Sequence, residues 1–316
     1  MRLHAAAPRH ALFRRRHALD ADAAQAARLI RAAGPAPGAE ITLEANPETV
    51  TPERLAAFRR ASVNRLSLGI QTARDDSLAR LGRRHTAAQS RRALGMAVQA
   101  GFTDISGDLM LALPAYTMAE LDETIALLAE SGCTHISGYL LKIEPNTVFG
   151  KRPPEALPDD DAAADFYLAA VEKLAALGYA QYEISNFARP GFESRHNRIY
   201  WDCGDYLGLG PAAHSCMGGK RFATPAGTAA FLAAPAVYEP QGECTAEDYI
   251  MLQLRLSRGL SLSALRARYG VSFSSEKLRF LQTLAEHGLA VFDGSVLRLT
   301  PRGNAGFRTA SCASLV

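Results

Sequence analysis

The chain has 316 residues, 48% hydrophobic and 21% charged, a globular composition that excludes a disordered or collagen-like polymer and leaves room for one large domain or two of ordinary size. It contains no apolar run long enough for a membrane-spanning helix, and its five cysteines (Cys133, Cys203, Cys216, Cys244 and Cys312) are too scattered for a disulfide framework, so a reduced, cytoplasmic chain is expected. The net charge of +3 hides an asymmetry: residues 1–16 hold Arg2, Arg9, Arg14, Arg15 and Arg16 with no acid, and the remainder is slightly acidic. A near-neutral body argues against a nucleic-acid partner. The arginine-rich start shares one trait with mitochondrial transit peptides but lacks their serines and amphipathic period.

In chain order, a helix is expected over Asp20–Ala33, then a strand at Ile41–Glu44. Thr51 caps a helix that begins at Pro52, a favoured first helical position. A second strand, Arg65–Ile70, ends in Gln71. Thr86 and Gln89 have capping-box spacing and open a helix to Gly101. A third strand, Ile105–Met110, surrounds Asp108, and Thr117 with Glu120 forms a second capping box before a helix to about Ser131. A fourth strand, Ile136–Leu141, leads into Ile143-Glu144-Pro145. A helix over Asp159–Leu177 and a short strand at Tyr182–Ser185 follow.

Strands alternating with helices mean parallel βαβ units, whether the sheet closes into a barrel or stays open. Both arrangements put their chemistry at the C-terminal ends of the strands. At or near those ends stand Glu44, Gln71, Asp108 and Glu144. A polar group on an otherwise apolar strand is costly without a partner, so the four together define a ligand site. The alternative for each one singly is a helix cap or a satisfied loop amide.

Beyond Gly210 the pattern changes to helices at Thr245–Leu256, Ser261–Tyr269 and Ser274–Gly288. A hairpin follows, Ala290–Phe292 and Val296–Leu299 about an Asp293-Gly294 turn. Three helices and a wing have the outline of a winged helix. The third helix mixes Lys277 and Arg279 with Glu276 and Glu286, which favours a packing domain over a DNA reader.

Several stretches together carry a family resemblance: ITLEANPETVTPERL, NRLSLGIQT, LARLGRRHT, ISGDLMLALP, KIEPNTVFGKRPPEALPDDD, QYEISNFARPG and HNRIYWDCGDYLGLGPAAHS. From about Glu40 to about Gly303 the chain resembles the HemW-type haem chaperones of the radical SAM superfamily, relatives of oxygen-independent coproporphyrinogen III oxidase. The resemblance implies an α/β fold: a partial (β/α) barrel lacking its first strands, with a small winged-helix-like C-terminal domain. The expected division is an atypical segment with one helix over 1–39, the barrel over 40–210 and the C-terminal domain over 211–316. It further implies S-adenosylmethionine bound by Glu44, Gln71, Arg83 and Asp108, with Lys142 at another contact position where it is not the usual residue. Carboxylates and an amide suit ribose hydroxyls and an ammonium, and an arginine suits a carboxylate.

HNRIYW, residues 196–201, matches the signature that separates the haem chaperones from the oxidases. It implies haem binding by His196, Tyr200 and Trp201: an imidazole is a good axial ligand, and the two aromatic rings offer flat apolar surface. The alternative is that His196 and Asn197 fix a turn while Trp201 packs in a core. His214 and Cys216 form a second pair, read as structural, and Cys133 reads as a small core residue.

The family's [4Fe–4S] cluster is held by a CxxxCxxC loop that this sequence does not contain, nor does it contain the family's GGGTP segment. Its metal ligands are therefore absent, and no reductive radical chemistry is expected of the chain as given. Arg14-Arg15-Arg16-His17-Ala18, if encoded by the chosen codons CGG-CGG-CGG-CAC-GCC, reads Gly-Gly-Gly-Thr-Pro one base later, and on that choice residues 1 to about 19 are expected to be an out-of-frame reading. The tail from Asn304 onward likewise departs from the apolar final helix expected. Three functions remain in competition. The first is a haem chaperone serving membrane haem proteins of the respiratory chain. The second is coproporphyrinogen III decarboxylation in porphyrin biosynthesis, which needs the cluster. The third is a relic without cofactor, with an exposed sheet edge.

Overall fold

Every second residue of the segment Arg65–Ile70 is apolar, and Leu66, Leu68 and Ile70 are each fully buried, which is what fixes this segment as a strand in the interior of a sheet. The computed structural model describes residues 8–13, 23–235 and 237–307, in two compact units that meet between Glu193 and Ser194.

The first unit is a curled half-barrel of seven strands with helices packed on it. In chain order it comprises β1 (His10–Phe13), α1 (Ala23–Ala33), β2 (Glu40–Ala45), α2 (Pro52–Arg60), β3 (Arg65–Gln71), α3 (Asp75–Arg80), α4 (Ala87–Gln99), β4 (Asp104–Leu111), α5 (Met118–Glu130), β5 (His135–Leu140), α6 (Val148–Lys151), α7 (Asp160–Ala176), β6 (Ala180–Glu183) and β7 (Asn186–Ala188). The strand order is β1-β2-β3-β4-β5-β7-β6, with β1 to β5 parallel and β6 and β7 antiparallel.

The helix signals act as their chemistry requires. Thr51 caps α2 through the Arg54 amide, and Thr86 and Gln89 complete a reciprocal capping box on α4. On α5 the Thr117 side chain accepts from the Glu120 amide, but the Glu120 carboxylate is used elsewhere: it accepts a 2.5 Å hydrogen bond from the Thr72 hydroxyl. Half of the expected box is therefore replaced by a buried tertiary contact.

Three further elements differ from the sequence reading. The segment before residue 40 contributes a strand as well as a helix: His10 to Phe13 pair in parallel register with Glu40 to Leu43. Four residues of mixed composition carry no alternation that marks such a strand. The Arg14–Ala18 stretch lies outside the described residues, as does Asp20 at the expected helix start. The strand placed at Tyr182–Ser185 is the hairpin of β6 and β7, which adds to β5 antiparallel. Finally, β5 stops at Leu140, so Glu144 stands in a loop rather than at a strand tip.

The second unit holds α8 (Arg195–Trp201), then β8 (His214–Met217), β9 (Lys220–Ala223), α9 (Thr228–Ala233) and β10 (Glu239–Glu243), the three strands forming a small antiparallel sheet. It continues with α10 (Ala246–Leu254), β11 (Leu260–Ser261), α11 (Leu262–Tyr269), α12 (Ser275–Glu286), β12 (Ala290–Phe292), β13 (Val296–Leu299) and α13 (Pro301–Phe307). Three helices and the β11-β13-β12 sheet reproduce the winged-helix outline around a core that includes Ile250, Leu254, Leu265, Leu281 and Leu297. The turn works through Asp293, whose carboxylate accepts from the Ser295 and Val296 amides while Gly294 takes a left-handed φ of 86°. Among the described residues no helix is long and apolar enough to cross a membrane.

Candidate functional site

In the half-barrel the apolar alternation packs one face of β3, β4 and β5, and the residues between point to the other face. Those residues are polar and in register. Arg65 pairs with Asp104 at the start of the strands; Ser67 lies beside Ser106 and Ser106 beside His135; Asp108 lies beside Ser137, and Met110 beside Tyr139. His135 accepts or donates at both ring nitrogens, 2.7 Å from the Ser106 hydroxyl and 2.8 Å from the Tyr182 hydroxyl, and burial, reinforced by Arg65, holds it neutral well below its usual range. A polar inner face running to the strand ends is the wall of a site.

At the upper end of that wall the structure brings Glu44, Gln71, Arg83 and Asp108 together. Burial pushes the Asp108 carboxyl up to about 7, the Glu44 carboxylate adds to this, and Arg83 and hydrogen bonds to Ser67 and Ser137 oppose it. Gln71 follows a bulge in β3 and has a left-handed φ of 73°, unusual for a residue with a side chain and a mark of local strain. A Cβ added at Gly69 would lie 3.1 Å from the Gln71 amide nitrogen, 3.3 Å from the Asn46 amide oxygen and 3.6 Å from Arg83 Nη1. Gly69 is therefore the floor of a polar cradle.

Arg83 owes its place to a Schellman turn: α3 ends, Gly82 takes a φ of 67°, and the Arg83 amide donates back to the Leu78 carbonyl at 2.9 Å. His85, two residues on, is buried between the Glu48 carboxylate at 3.1 Å and the Ile70 carbonyl at 3.4 Å, which pins this loop to the end of β3.

Lys142 and Glu144 belong to a different setting. They pair with each other at 2.7 Å in the loop beyond β5, with the Lys142 side chain 82% exposed. Conversely, the cradle includes residues that the sequence reading passed over: Asn46, Ser67, Ser137 and Tyr139. Tyr139 is 40% exposed, and partial desolvation of its phenol with the carboxylates of Asp108, Glu183 and Glu44 pushes it up to about 12 against a hydrogen bond to Ser137. The signal that would have found Ser67, Ser137 and Tyr139 is the period-two spacing from Asp108 and its partners across the sheet.

S-adenosylmethionine, the cofactor implied by the resemblance, suits this donor set. Two carboxylates, two side-chain amides and a guanidinium match hydroxyl, ammonium and carboxylate groups, and the space over Gly69 is one that a Cβ would narrow. The [4Fe–4S] cluster does not fit. Cys133 is buried against Gly107, its thiol pushed up to about 12 by burial and by Asp108, and among the described residues no three His, Cys, Asp or Glu side chains are grouped to hold a metal ion.

In the second unit HNRIYW is a helix, not a turn. Ser194 caps α8 through the Asn197 amide, and residues 196 and 200 face the same way one turn apart. His196 Nε2 lies 2.7 Å from the Tyr200 hydroxyl, and the Tyr200 ring packs edge-on against Tyr206 with centroids 4.6 Å apart. The Arg255 guanidinium lies 4.4 Å over the Trp201 ring, and the Trp201 carbonyl accepts from Gln253 at 2.8 Å. The Trp201 indole nitrogen is buried with no hydrogen-bond partner among the described residues.

A parallel half-barrel with a polar cluster at its strand ends, followed by a winged-helix-like second unit, is the architecture shared with radical SAM proteins. The Radical SAM superfamily profile matches residues 12–128, and that of the HemN C-terminal domain matches residues 245–304. The fold is that of the coproporphyrinogen III oxidase HemN from Escherichia coli, with a TM-score of 0.75 at 22% identity over 91% of this chain and 73% of that one. The heme chaperone HemW of Bacillus subtilis is 36% identical over 275 residues, 84% of this chain and 73% of its own length. The heme chaperone HemW of Escherichia coli is 45% identical over 176 residues, a match that spans only 46% of that relative. The chain belongs to the HemW family of the radical SAM superfamily.

Proposed function

We propose that this chain is a haem chaperone that binds haem on α8 and S-adenosylmethionine in the cradle over Gly69. The observation that carries the reading is α8 itself. It sets His196 and Tyr200 on one face and holds the Trp201 ring under Arg255, so that one short helix gathers an axial ligand and two aromatic surfaces. His196 Nε2 exchanges its hydrogen bond to Tyr200 for the haem iron, and the unpartnered Trp201 N–H supplies a donor for a porphyrin carboxylate.

Membership of the HemW family supports haem as the cargo. Membrane haem proteins of the respiratory chain are the proposed recipients, and the cytoplasm the proposed place of action. In the cradle, Glu44 and Asp108 accept from hydroxyl and ammonium groups and Arg83 receives a carboxylate.

The test presents the purified chain with haem, and separately with coproporphyrinogen III and S-adenosylmethionine under anaerobic, reducing conditions. A stoichiometric Soret complex without decarboxylation is expected. Decarboxylation of coproporphyrinogen III without a haem complex assigns the chain to the oxidase reaction instead.

A further inference from the structure

Three of the five cysteines converge in the second unit, although they are distant in sequence. Cys244 follows β10, and its backbone N–H donates to the Gly219 carbonyl at 2.8 Å, which lays it across the β8–β9 turn. There its sulfur lies 3.5 Å from that of Cys216. Cys203 belongs to the core cluster against which Cys244 packs. Cys244 is the partly exposed member; the other two are buried. Arg221 donates to the Glu243 carbonyl immediately before Cys244 and pairs with Asp248 at 3.0 Å in the first turn of α10, which fixes the backbone around the accessible sulfur.

We propose that Cys244 and Cys216, with Cys203 as the third thiol, form a peroxide-responsive site whose oxidised form is a Cys216–Cys244 disulfide. The Cys244 sulfur attacks one oxygen of a hydroperoxide, the O–O bond breaks, and a sulfenic acid and water (or an alcohol) result. The Cys216 sulfur then attacks that of Cys244; the S–S bond forms, the S–O bond breaks, and hydroxide leaves as water with the proton of Cys216. Two thiols lose two electrons and two protons, and the peroxide is reduced. Burial pushes Cys216 up to about 11 and Cys203 up to about 12, so both rest as thiols and the one that attacks has to give up its proton as the S–S bond forms. The 3.5 Å gap leaves ~1.5 Å to close to a disulfide bond of ~2 Å. The site also touches α8: the backbones of Cys216 and Tyr206 exchange hydrogen bonds of 2.8 and 2.9 Å, and Tyr206 packs on Tyr200.

The full chain, reduced and desalted, is treated with stoichiometric hydrogen peroxide and then alkylated. Trypsin leaves Cys203 and Cys216 on one peptide, so a second cleavage after Tyr206 is needed to separate them. The expected product is an intact mass lower by about 2 Da, reversed by dithiothreitol, with residue 216 linked to residue 244. Cys244→Ser loses thiols to peroxide at least tenfold more slowly, and Cys216→Ser diverts the bond to Cys203 or leaves a sulfenic acid on Cys244 trapped by dimedone. The proposal is overturned if all five cysteines remain alkylatable, if the bond formed excludes Cys244, or if Cys244→Ser oxidises at the parent's rate.

Discussion

His196 and Tyr200 are locked together on α8 by a 2.7 Å hydrogen bond between Nε2 and the phenol hydroxyl, and their rings meet edge to face. In the proposed haem complex that bond competes with iron for the same nitrogen. Tyr200→Phe keeps the aromatic surface and removes the competitor, at a net value of about 1 kcal/mol. Haem affinity measured by Soret titration is therefore expected to rise several-fold in Tyr200→Phe. A loss of affinity would show that the hydroxyl assists binding instead.

Gly69→Ala narrows the cradle between Gln71, Asn46 and Arg83 without changing any of them. The neighbours have to give by a few tenths of an ångström, so the cost in stability is about 1–3 kcal/mol. Calorimetry is expected to show S-adenosylmethionine binding to the parent chain weakened at least tenfold in the variant. Equal binding in both places the nucleoside elsewhere.

Asp108 gives the fold a pH dependence with a definite sign. The folded chain keeps this proton up to about pH 7, whereas an unfolded aspartate releases it near pH ~4. Between those values the native state holds the extra proton, so the stability associated with Asp108 is complete below pH ~4 and is lost as pH rises through about 7. Asp108→Asn removes that slope. The variant is expected to gain on the parent between pH 5 and 8, by up to about 3 kcal/mol, in urea denaturation followed at several pH values. Parallel stability curves would show that Asp108 ionises normally.

The Thr72–Glu120 bond joins the end of β3 to the start of α5 with both side chains buried. Thr72→Val keeps the shape and leaves a buried carboxylate without that donor, at a cost of about 1–3 kcal/mol. A lower midpoint of chemical denaturation with an unchanged slope is the expected result. No change in midpoint would mean that the carboxylate finds another donor.

Sequence patterning revealed the parts of this fold whose residues interact locally. Thr51, Thr86 and Thr117 act within one helical turn, and the apolar alternation of β3 to β5 is dictated by burial of one face. β1 is set by pairing with β2 rather than by its own four residues, and β7 by pairing with β5, so neither has a local signature. In the cradle, Glu44, Gln71 and Asp108 stood out as polar groups on apolar strands, while Arg83 was legible only through the family resemblance. Its position depends on a left-handed glycine and on His85, two long-range fixtures. Glu144 failed the same reading because β5 ends four residues earlier. Cys203, Cys216 and Cys244 could not be grouped from sequence, since it is the pairing of β10 with β9 that carries Cys244 to the β8–β9 turn.

The most direct test of haem binding through α8 is a titration of the chain and of His196→Ala, followed at the Soret band. The parent is expected to bind one haem with the spectrum of a histidine-ligated iron, and His196→Ala to lose that spectrum and at least tenfold in affinity. Identical spectra and affinities in the two proteins would contradict His196 as the ligand, and with it the assignment of α8 as the haem site.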